Sequence, residues 1–184
     1  TSTGVMNDLE GIAKVVKSFP GVLLVVDSVS SFSAVPIEMD KLGIDVLLAG
    51  VQKALALPPG LTVFSLSEAA VERAKAMPNR GYYFDFVEFV KNGEANNTPS
   101  TPAISLIFGL QHILGVIAAE GVQNRFARHK ANNAMIHAWG ERHGFKNFAE
   151  AGAESVSLTC FHTPAGFDQS AFIKTLKSKH GFVI

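Results

Sequence analysis

The feature that most constrains the fold is a set of short apolar runs without alternation between polar and apolar residues. One run, Gly21–Val26, ends at Asp27, and similar runs cover Ile44–Ala49 and Leu61–Leu66. Continuous apolar strands are typical of parallel sheets that carry helices on both faces. Helical patterns lie between and after these runs, so the sequence predicts an α/β fold.

Helical periodicity predicts the remaining elements. Leu9, Ile12, Ala13 and Val16 share one face of a first helix, which Asn7 or Asp8 caps. Further helices are predicted over 36–42, 67–76, 104–120, 121–143 and 168–179. A later strand is predicted over 155–161, and the apolar residues 181–184 are interpreted as a strand cut short.

Composition excludes several classes of protein. The formal net charge is +0, which gives no electrostatic reason to expect a nucleic-acid or membrane partner. The one cysteine, Cys160, excludes an internal disulfide framework and is typical of a reducing compartment, so we expect a cytoplasmic protein with a buried thiol in the strand 155–161. His129 and His137 lack an acidic third ligand beside them, so no metal site is predicted.

The content of charged residues is low, at 17% against about 25% in ordinary soluble domains. The chain therefore either hides surface in an oligomer or has lost neighbouring parts. Since it opens at Thr1 without a start methionine, we interpret it as an internal piece of a longer protein. Five aromatic residues could pack against the sheet or a partner subunit, and we favour the partner: Tyr82, Tyr83, Phe84, Phe86 and Phe89.

An acid and an amine follow two neighbouring strands of the predicted sheet. Asp27 comes directly after the first run, and Lys53 follows the second run after a short turn. Ligands of open α/β sheets bind just outside the carboxyl ends of strands, so the two side chains could share one site. The alternative is that Asp27 caps a turn and Lys53 is an ordinary solvated lysine. Spacing alone favours this alternative.

Several sequence motifs, taken in order, favour a shared site of Asp27 and Lys53. They are VVDSVSS at 25–31, GIDV at 43–46, GVQKAL at 50–55 and PPG at 58–60. In this order and spacing the sequence resembles the class V aminotransferases, nearest to the alanine/serine–glyoxylate group. The segments 1–5 and 102–106 also resemble that family, and the likeness extends more weakly to the end of the chain.

The resemblance implies a fold and a cofactor. The fold is the type I fold of pyridoxal phosphate (PLP) enzymes, with a three-layer α/β large domain and a small α+β C-terminal domain. Residues 1–148 would belong to the large domain, including its long connecting helix, and residues 149–184 would begin the small domain. Active sites of this fold are completed by a second subunit, which implies a homodimer.

The resemblance also assigns roles to four residues. Lys53 matches the lysine that forms a Schiff base with the PLP aldehyde, and its amine must be unprotonated to attack. Asp27 matches the carboxylate that pairs with the pyridine nitrogen, which lets the ring act as an electron sink. Gln52 and Thr1 match positions that contact the phosphate and ring-hydroxyl regions of the cofactor.

A polar loop supplies further candidates. Ser100 or Thr101 matches a donor that, in the family, reaches the phosphate held by the partner subunit; a helix cap before Pro102 is an equally good interpretation. Two positions depart from the family pattern. Val51 stands where a serine is frequent, and Asn97 stands where relatives can carry an aromatic residue.

The activity that the resemblance implies is transfer of an amino group from a small amino acid, such as alanine or serine, to a 2-oxo acid such as glyoxylate or pyruvate. Two alternatives stay open: another type I PLP enzyme (a phosphonate-type transaminase or a lyase), or a non-catalytic α/β fragment. The family's glycine-rich phosphate loop and its substrate-binding arginine fall outside residues 1–184. We therefore expect the isolated chain to be inactive.

Overall fold

The computed structural model describes residues 3–183. Its strands are β1 Val25–Asp27, β2 Val46–Gly50, β3 Thr62–Leu66, β4 Lys146–Asn147 and β5 Phe161–His162. Its helices are α1 Leu9–Lys17, α2 Met39–Leu42, α3 Glu68–Lys75, α4 Phe86–Glu94, α5 Ile104–Glu120, α6 Val122–Arg142 and α7 Gln169–His180. They form two compact units, Asn7–His129 and a second unit that joins residues 3–6 to residues 130–183.

The sheet of the first unit has the strand order β1-β2-β3. β1 is parallel to β2, with Asp27 opposite Leu48, and helix α2 lies in the connection between them. This crossover is what parallel neighbours require. β3 is antiparallel to β2, with Gly50 opposite Thr62. The described segment between β2 and β3 contains no helix, so the chain turns back directly and the third strand reverses direction.

The apolar strands differ in burial. β2 is buried along nearly its whole length, as expected of a strand covered on both faces. The expectation was wrong for the first run, where regular strand is limited to β1 and Val25 is 59% exposed. The physical reason is that β1 is an edge strand of the described sheet and pairs there with β2 alone.

Helix α1 forms as predicted and packs on the sheet. Asp8, rather than Asn7, caps it, since the Asp8 side chain accepts a hydrogen bond of 2.9 Å from Gly11 N. The apolar face of α1 joins a core formed by its own residues and by residues at the starts of β1 and β2: Leu9, Ala13, Val16, Leu24, Ile44 and Leu47.

Two further helices confirm the sequence pattern closely. Helix α5 has the predicted bounds of 104–120, and Gly121, with φ of +84°, separates it from α6. Ser67 caps α3 by accepting a hydrogen bond of 3.1 Å from Ala70 N.

Helix α4 was not predicted, and it divides the aromatic cluster. The side chain of Asp85 caps this helix. Phe86 and Phe89 then pack on Phe64 of β3, with ring centroids 5.4 and 5.3 Å apart. These two rings therefore contact the sheet, and the other three aromatic side chains are exposed: Tyr82, Tyr83 and Phe84.

The second unit contains a small antiparallel pairing of β4 with β5, in which Asn147 lies opposite Phe161. Gly140 of α6 faces the ring of Phe161, and a Cβ at that glycine would lie 2.5 Å from the ring. The absence of a side chain at Gly140 thus lets helix α6 approach β5. Rings in mutual contact extend this core: Trp139, Phe145, Phe161, Phe167 and Phe172.

Two predictions for this unit were wrong. Of the predicted strand 155–161, only Phe161 belongs to β5, and Cys160 lies just before it and is half-buried rather than a buried thiol within a strand. Residues 181–183 form no strand, because Gly181 takes a left-handed conformation (φ of +70°) and ends α7. Of the described residues in these two segments, only Phe161 pairs within a strand.

No helix within residues 3–183 has, taken singly, the length and apolar character needed to cross a membrane. Helices α5 and α6 meet the length and composition criteria only when counted together as a bent pair.

Candidate functional site

Asp27 stands at the carboxyl end of β1. It is the last residue of the strand, lies opposite Leu48 of β2 and has an exposed side chain. Its Oδ1 accepts a hydrogen bond of 2.9 Å from Val29 N. This hydrogen bond closes a turn and fixes the direction of the carboxylate relative to the end of the strand.

Lys53 lies three residues beyond the end of β2, at the same edge of the sheet. Its Nζ donates a hydrogen bond of 2.8 Å to Ser30 Oγ. Ser30 is itself three residues beyond Asp27. The amine of Lys53, on the loop after β2, therefore contacts the loop that begins at Asp27, after β1.

The backbone around Lys53 is anchored in the core. Val51 is 0% exposed and packs with Leu55 and Ile117 of α5. Ala56 N donates a hydrogen bond of 2.8 Å to Lys53 O, which closes a tight turn. Val51, where the family often has a serine, therefore serves packing, and the Lys53 side chain extends to the surface from a well-supported loop.

The side chain of Gln52 folds back over the end of β2. A Cβ on Gly50 would overlap the side-chain oxygen of Gln52. Gly50 is buried, whereas Gln52 is exposed. The absence of a side chain at Gly50 therefore leaves the space that the Gln52 amide occupies.

The other predicted residues lie elsewhere. Ser100 lines an open cavity of about 450 Å³ whose wall is formed by the segment 81–92 rather than by the Asp27 and Lys53 loops. Ser100 O accepts a hydrogen bond of 2.8 Å from Thr98 Oγ1, and Thr101 is exposed. Thr1 lies outside the described residues.

Sequence reasoning missed two residues that act on these loops. Ser30 contacts the amine of Lys53, and Arg125 of α6 donates hydrogen bonds to both the 28–35 loop and the loop after Lys53. The sequence carries no signal for Arg125, because its burial, which forces the guanidinium to find partners, is seen only in the structure.

The two histidines considered as metal ligands, His129 and His137, are half-buried residues of α6. Burial lowers the pKa of His129, and the nearby charges of Arg125 and Arg128 lower it further. His137 Nδ1 lies 3.2 Å from the side-chain amide nitrogen of Asn147. Within residues 3–183 no group of three or more His, Cys, Asp or Glu side chains is arranged to hold a metal ion.

Comparison with known protein families shows to which family the chain belongs. The family model described as aminotransferase class V matches residues 1–184. The chain belongs to the class V aminotransferases. This confirms the family predicted from the motifs around Asp27 and Lys53, and its members are PLP-dependent enzymes.

Individual relatives cover all or most of the chain. An uncharacterised aminotransferase of Methanocaldococcus jannaschii is 36% identical over 186 residues, which cover 100% of this chain and 48% of that protein. Serine–glyoxylate aminotransferase of Arabidopsis thaliana is 38% identical over 146 residues, or 76% of this chain and 36% of that protein.

A solved structure confirms the predicted fold. The alanine–glyoxylate aminotransferase from Nostoc sp. matches with a TM-score of 0.90 and 31% identity, covering 99% of this chain and 49% of that one. The fold is thus that of type I PLP aminotransferases. The chain spans about half the length of these relatives, or less.

The residues present fit PLP chemically. An aldehyde requires a primary amine as its covalent partner, and a protonated pyridine nitrogen requires an anion. The exposed amine of Lys53 contacts the loop that follows Asp27, and the carboxylate of Asp27 is also exposed. Both groups lie at the same edge of the sheet. This class V chain therefore offers both functional groups that the cofactor needs.

Proposed function

We propose that Lys53 binds PLP covalently and that the protein transfers an amino group from a small amino acid to a 2-oxo acid. The observation that supports this most directly is the hydrogen bond of 2.8 Å from Lys53 Nζ to Ser30 Oγ. This bond brings the amine to Ser30, which follows Asp27 by three residues in the sequence. Membership of the class V family supplies the reaction type.

Lys53 has two tasks in this proposal. As the neutral amine, Lys53 Nζ would hold PLP through the aldehyde group of the cofactor. Once a substrate amine had displaced it, Lys53 would be free to accept a proton from the substrate α-carbon and to return it on the cofactor side. PLP supplies the aldehyde and a ring that holds the electron pair left on the α-carbon.

Asp27 holds the proton on the pyridine nitrogen. Its carboxylate is exposed and is oriented by the Val29 amide, so it can accept a charge-assisted hydrogen bond. We further propose that Gln52 and Thr1 contact the phosphate and ring-hydroxyl regions. The position of Gln52 beside Lys53 supports its part of this assignment.

The relatives suggest the substrates. Two of them are named for glyoxylate as amino acceptor, with serine in Arabidopsis thaliana and alanine in Nostoc sp. as donors. We propose the same class here: an alanine-like or serine-like donor and a glyoxylate-like or pyruvate-like acceptor.

We also propose a homodimer with a shared site. Tyr82 and Phe84 are 97% and 79% exposed, which is unusual for large aromatic side chains and favours contact with another subunit. Ser100 and Thr101 would then reach the partner's phosphate site. The unpaired Cys160 supports a cytoplasmic location. We also propose that residues 1–148 belong to one domain and residues 149–184 to another.

Absorbance of the full-length protein titrated with PLP tests the proposal. Binding should produce a visible band from the lysine-bound cofactor, and Lys53→Ala should abolish it. Lys14→Ala removes another exposed lysine, in α1, and should leave the band unchanged. A band that survives in Lys53→Ala, or no band in the wild type, would show that the proposal is wrong.

A further inference from the structure

We propose that Arg125 is a positioning residue that fixes the loop after Asp27 against the loop carrying Lys53. This inference rests on the proposed function, because it matters for catalysis only if both loops form the PLP site. Arg125 lies in the first turns of α6 and is 6% exposed, so its guanidinium is withdrawn from solvent.

The guanidinium binds the first loop at Ser33. Arg125 Nε donates to Ser33 O at 3.1 Å and to Ser33 Oγ at 2.8 Å. Ser33 has a φ of +66°, a left-handed conformation that L-residues with side chains rarely adopt. Such a conformation persists only where its surroundings hold it in place, and both contacts of Arg125 do so.

The same guanidinium binds the second loop next to Lys53. Arg125 Nη2 donates a hydrogen bond to the carbonyl oxygen of Ala54, the residue that directly follows Lys53. Ala56, two residues further, also has a left-handed φ of +56°. One planar group therefore spans both loops and holds each beside a strained residue.

A carboxylate holds the guanidinium from the other side. Arg125 Nη1 lies 3.4 Å from Glu120 Oε2, and Arg128 Nε lies 2.5 Å from Glu120 Oε1. The hydrogen bond from Arg128, followed by that from Arg125, lowers the pKa of Glu120 to about 2. Glu120 is therefore ionised at neutral pH and balances the buried charge of Arg125, as a buried cation requires.

Only an arginine can make this set of contacts. The guanidinium presents five N–H donors in a fixed fork, whereas a lysine ammonium is one point charge on a flexible stem. Arg125→Lys would keep the charge near Glu120 but could not reach Ser33 and Ala54 in fixed directions together. This variant separates the positioning role from simple charge balance.

Hydrogen exchange in the cofactor-free full chain gives the first test. Arg125→Lys should speed exchange at amides of 28–35 and 51–57 by about tenfold or more, with α1 and β3 unchanged. Arg128→Met is the matched control, because it removes an arginine that also binds Glu120 but touches neither loop. Faster exchange throughout the unit, or none in either loop, would overturn the proposal.

Cofactor affinity gives the second test. Arg125→Lys and Arg125→Ala should each raise the dissociation constant for PLP at least about tenfold, whereas Arg128→Met should change it less than about twofold. Millimolar guanidinium chloride should restore much of the affinity of Arg125→Ala by filling the space left behind. Unchanged affinity in both variants, or weakened affinity without such rescue, would contradict the positioning role.

The two proposals fail in different ways. If the wild type shows no visible band with PLP, the proposed function is wrong, and the exchange experiment still reports whether Arg125 orders both loops. If the wild type binds PLP and the Arg125 variants bind equally well, only the present inference is wrong. If Arg125→Ala does not fold, Arg125→Lys decides; unfolding of both variants would overturn the inference, because Arg125 would then stabilise the unit as a whole.

Discussion

Lys53 and Ser30 are 23 positions apart in the sequence, yet Lys53 Nζ donates a hydrogen bond of 2.8 Å to Ser30 Oγ. The contact joins the loops that follow two parallel strands, β1 and β2. If Lys53 is the covalent group, as we propose, the Ser30 hydroxyl fixes the position of the amine in the cofactor-free protein.

Ser30→Ala should tighten PLP binding by roughly fivefold, since one hydrogen bond of this type contributes about 1 kcal/mol. The reason is that this bond stabilises the cofactor-free chain and must break before the Lys53 amine binds the cofactor. Absorbance titration measures the effect. Ser31→Ala is the control, because the Ser31 hydroxyl donates instead to Ser28 O. Equal changes in both variants would contradict a specific role of Ser30.

Asp27→Asn should weaken PLP binding by about 10- to 100-fold without unfolding the protein, as expected from losing a charged hydrogen bond of about 1.5–3 kcal/mol. Asparagine can still accept the hydrogen bond from Val29 N, so the turn is kept while the charge is lost. Equilibrium titration and far-UV circular dichroism measure the two effects. Wild-type affinity in this variant would exclude Asp27 as the partner of the pyridine nitrogen.

Gly50→Ala should weaken PLP binding with little loss of stability, because the new methyl group displaces only the end of the flexible, exposed Gln52 side chain. Gly115→Ala is the matched control, since nothing lies within 4 Å of a Cβ at that position of α5. It should stabilise the helix by about 0.5–1 kcal/mol and leave PLP binding unchanged. Urea unfolding and PLP titration compare them, and unchanged PLP affinity in Gly50→Ala would contradict a role of the Gln52 amide in the site.

Acid stability should depend on Glu120. Its pKa is lowered from 4.5 to about 2 in the folded protein, first by the hydrogen bond from Arg128. The unfolded chain therefore takes up the proton first as the pH falls, so this stabilisation is complete above pH 4.5 and is lost towards about pH 2.

Urea midpoints at several pH values test this dependence. The midpoint of the wild type should fall more steeply through that acid range than the midpoint of Glu120→Gln. Glu150→Gln, at an exposed position of the second unit, should follow the wild type. Parallel curves for the wild type and Glu120→Gln would contradict the ion-pair argument.

Local patterns were enough to predict much of the fold. Helix α5 has the expected bounds, and Asp8, one of the two expected caps, caps α1. These features depend on residues within one or two turns of each other. Strand direction does not, and the antiparallel β3 follows instead from a connection that contains no helix in the described structure.

The candidate site was predictable in part for a similar reason. Asp27 and Lys53 carry sequence motifs, so the family resemblance identified them. Arg125 and Ser33 lie 92 positions apart, and neither belongs to a recognisable motif. Their contact exists only because α6 packs over both loops, which a single sequence does not reveal.

Reduction of the PLP complex of the full chain with borohydride, followed by peptide mass analysis, tests the central claim most directly. The reduction converts the C=N bond between lysine and cofactor into a stable C–N bond. We predict that the cofactor mass is found on the peptide containing Lys53, at one per chain. Attachment to other lysines with Lys53 unmodified would contradict the account.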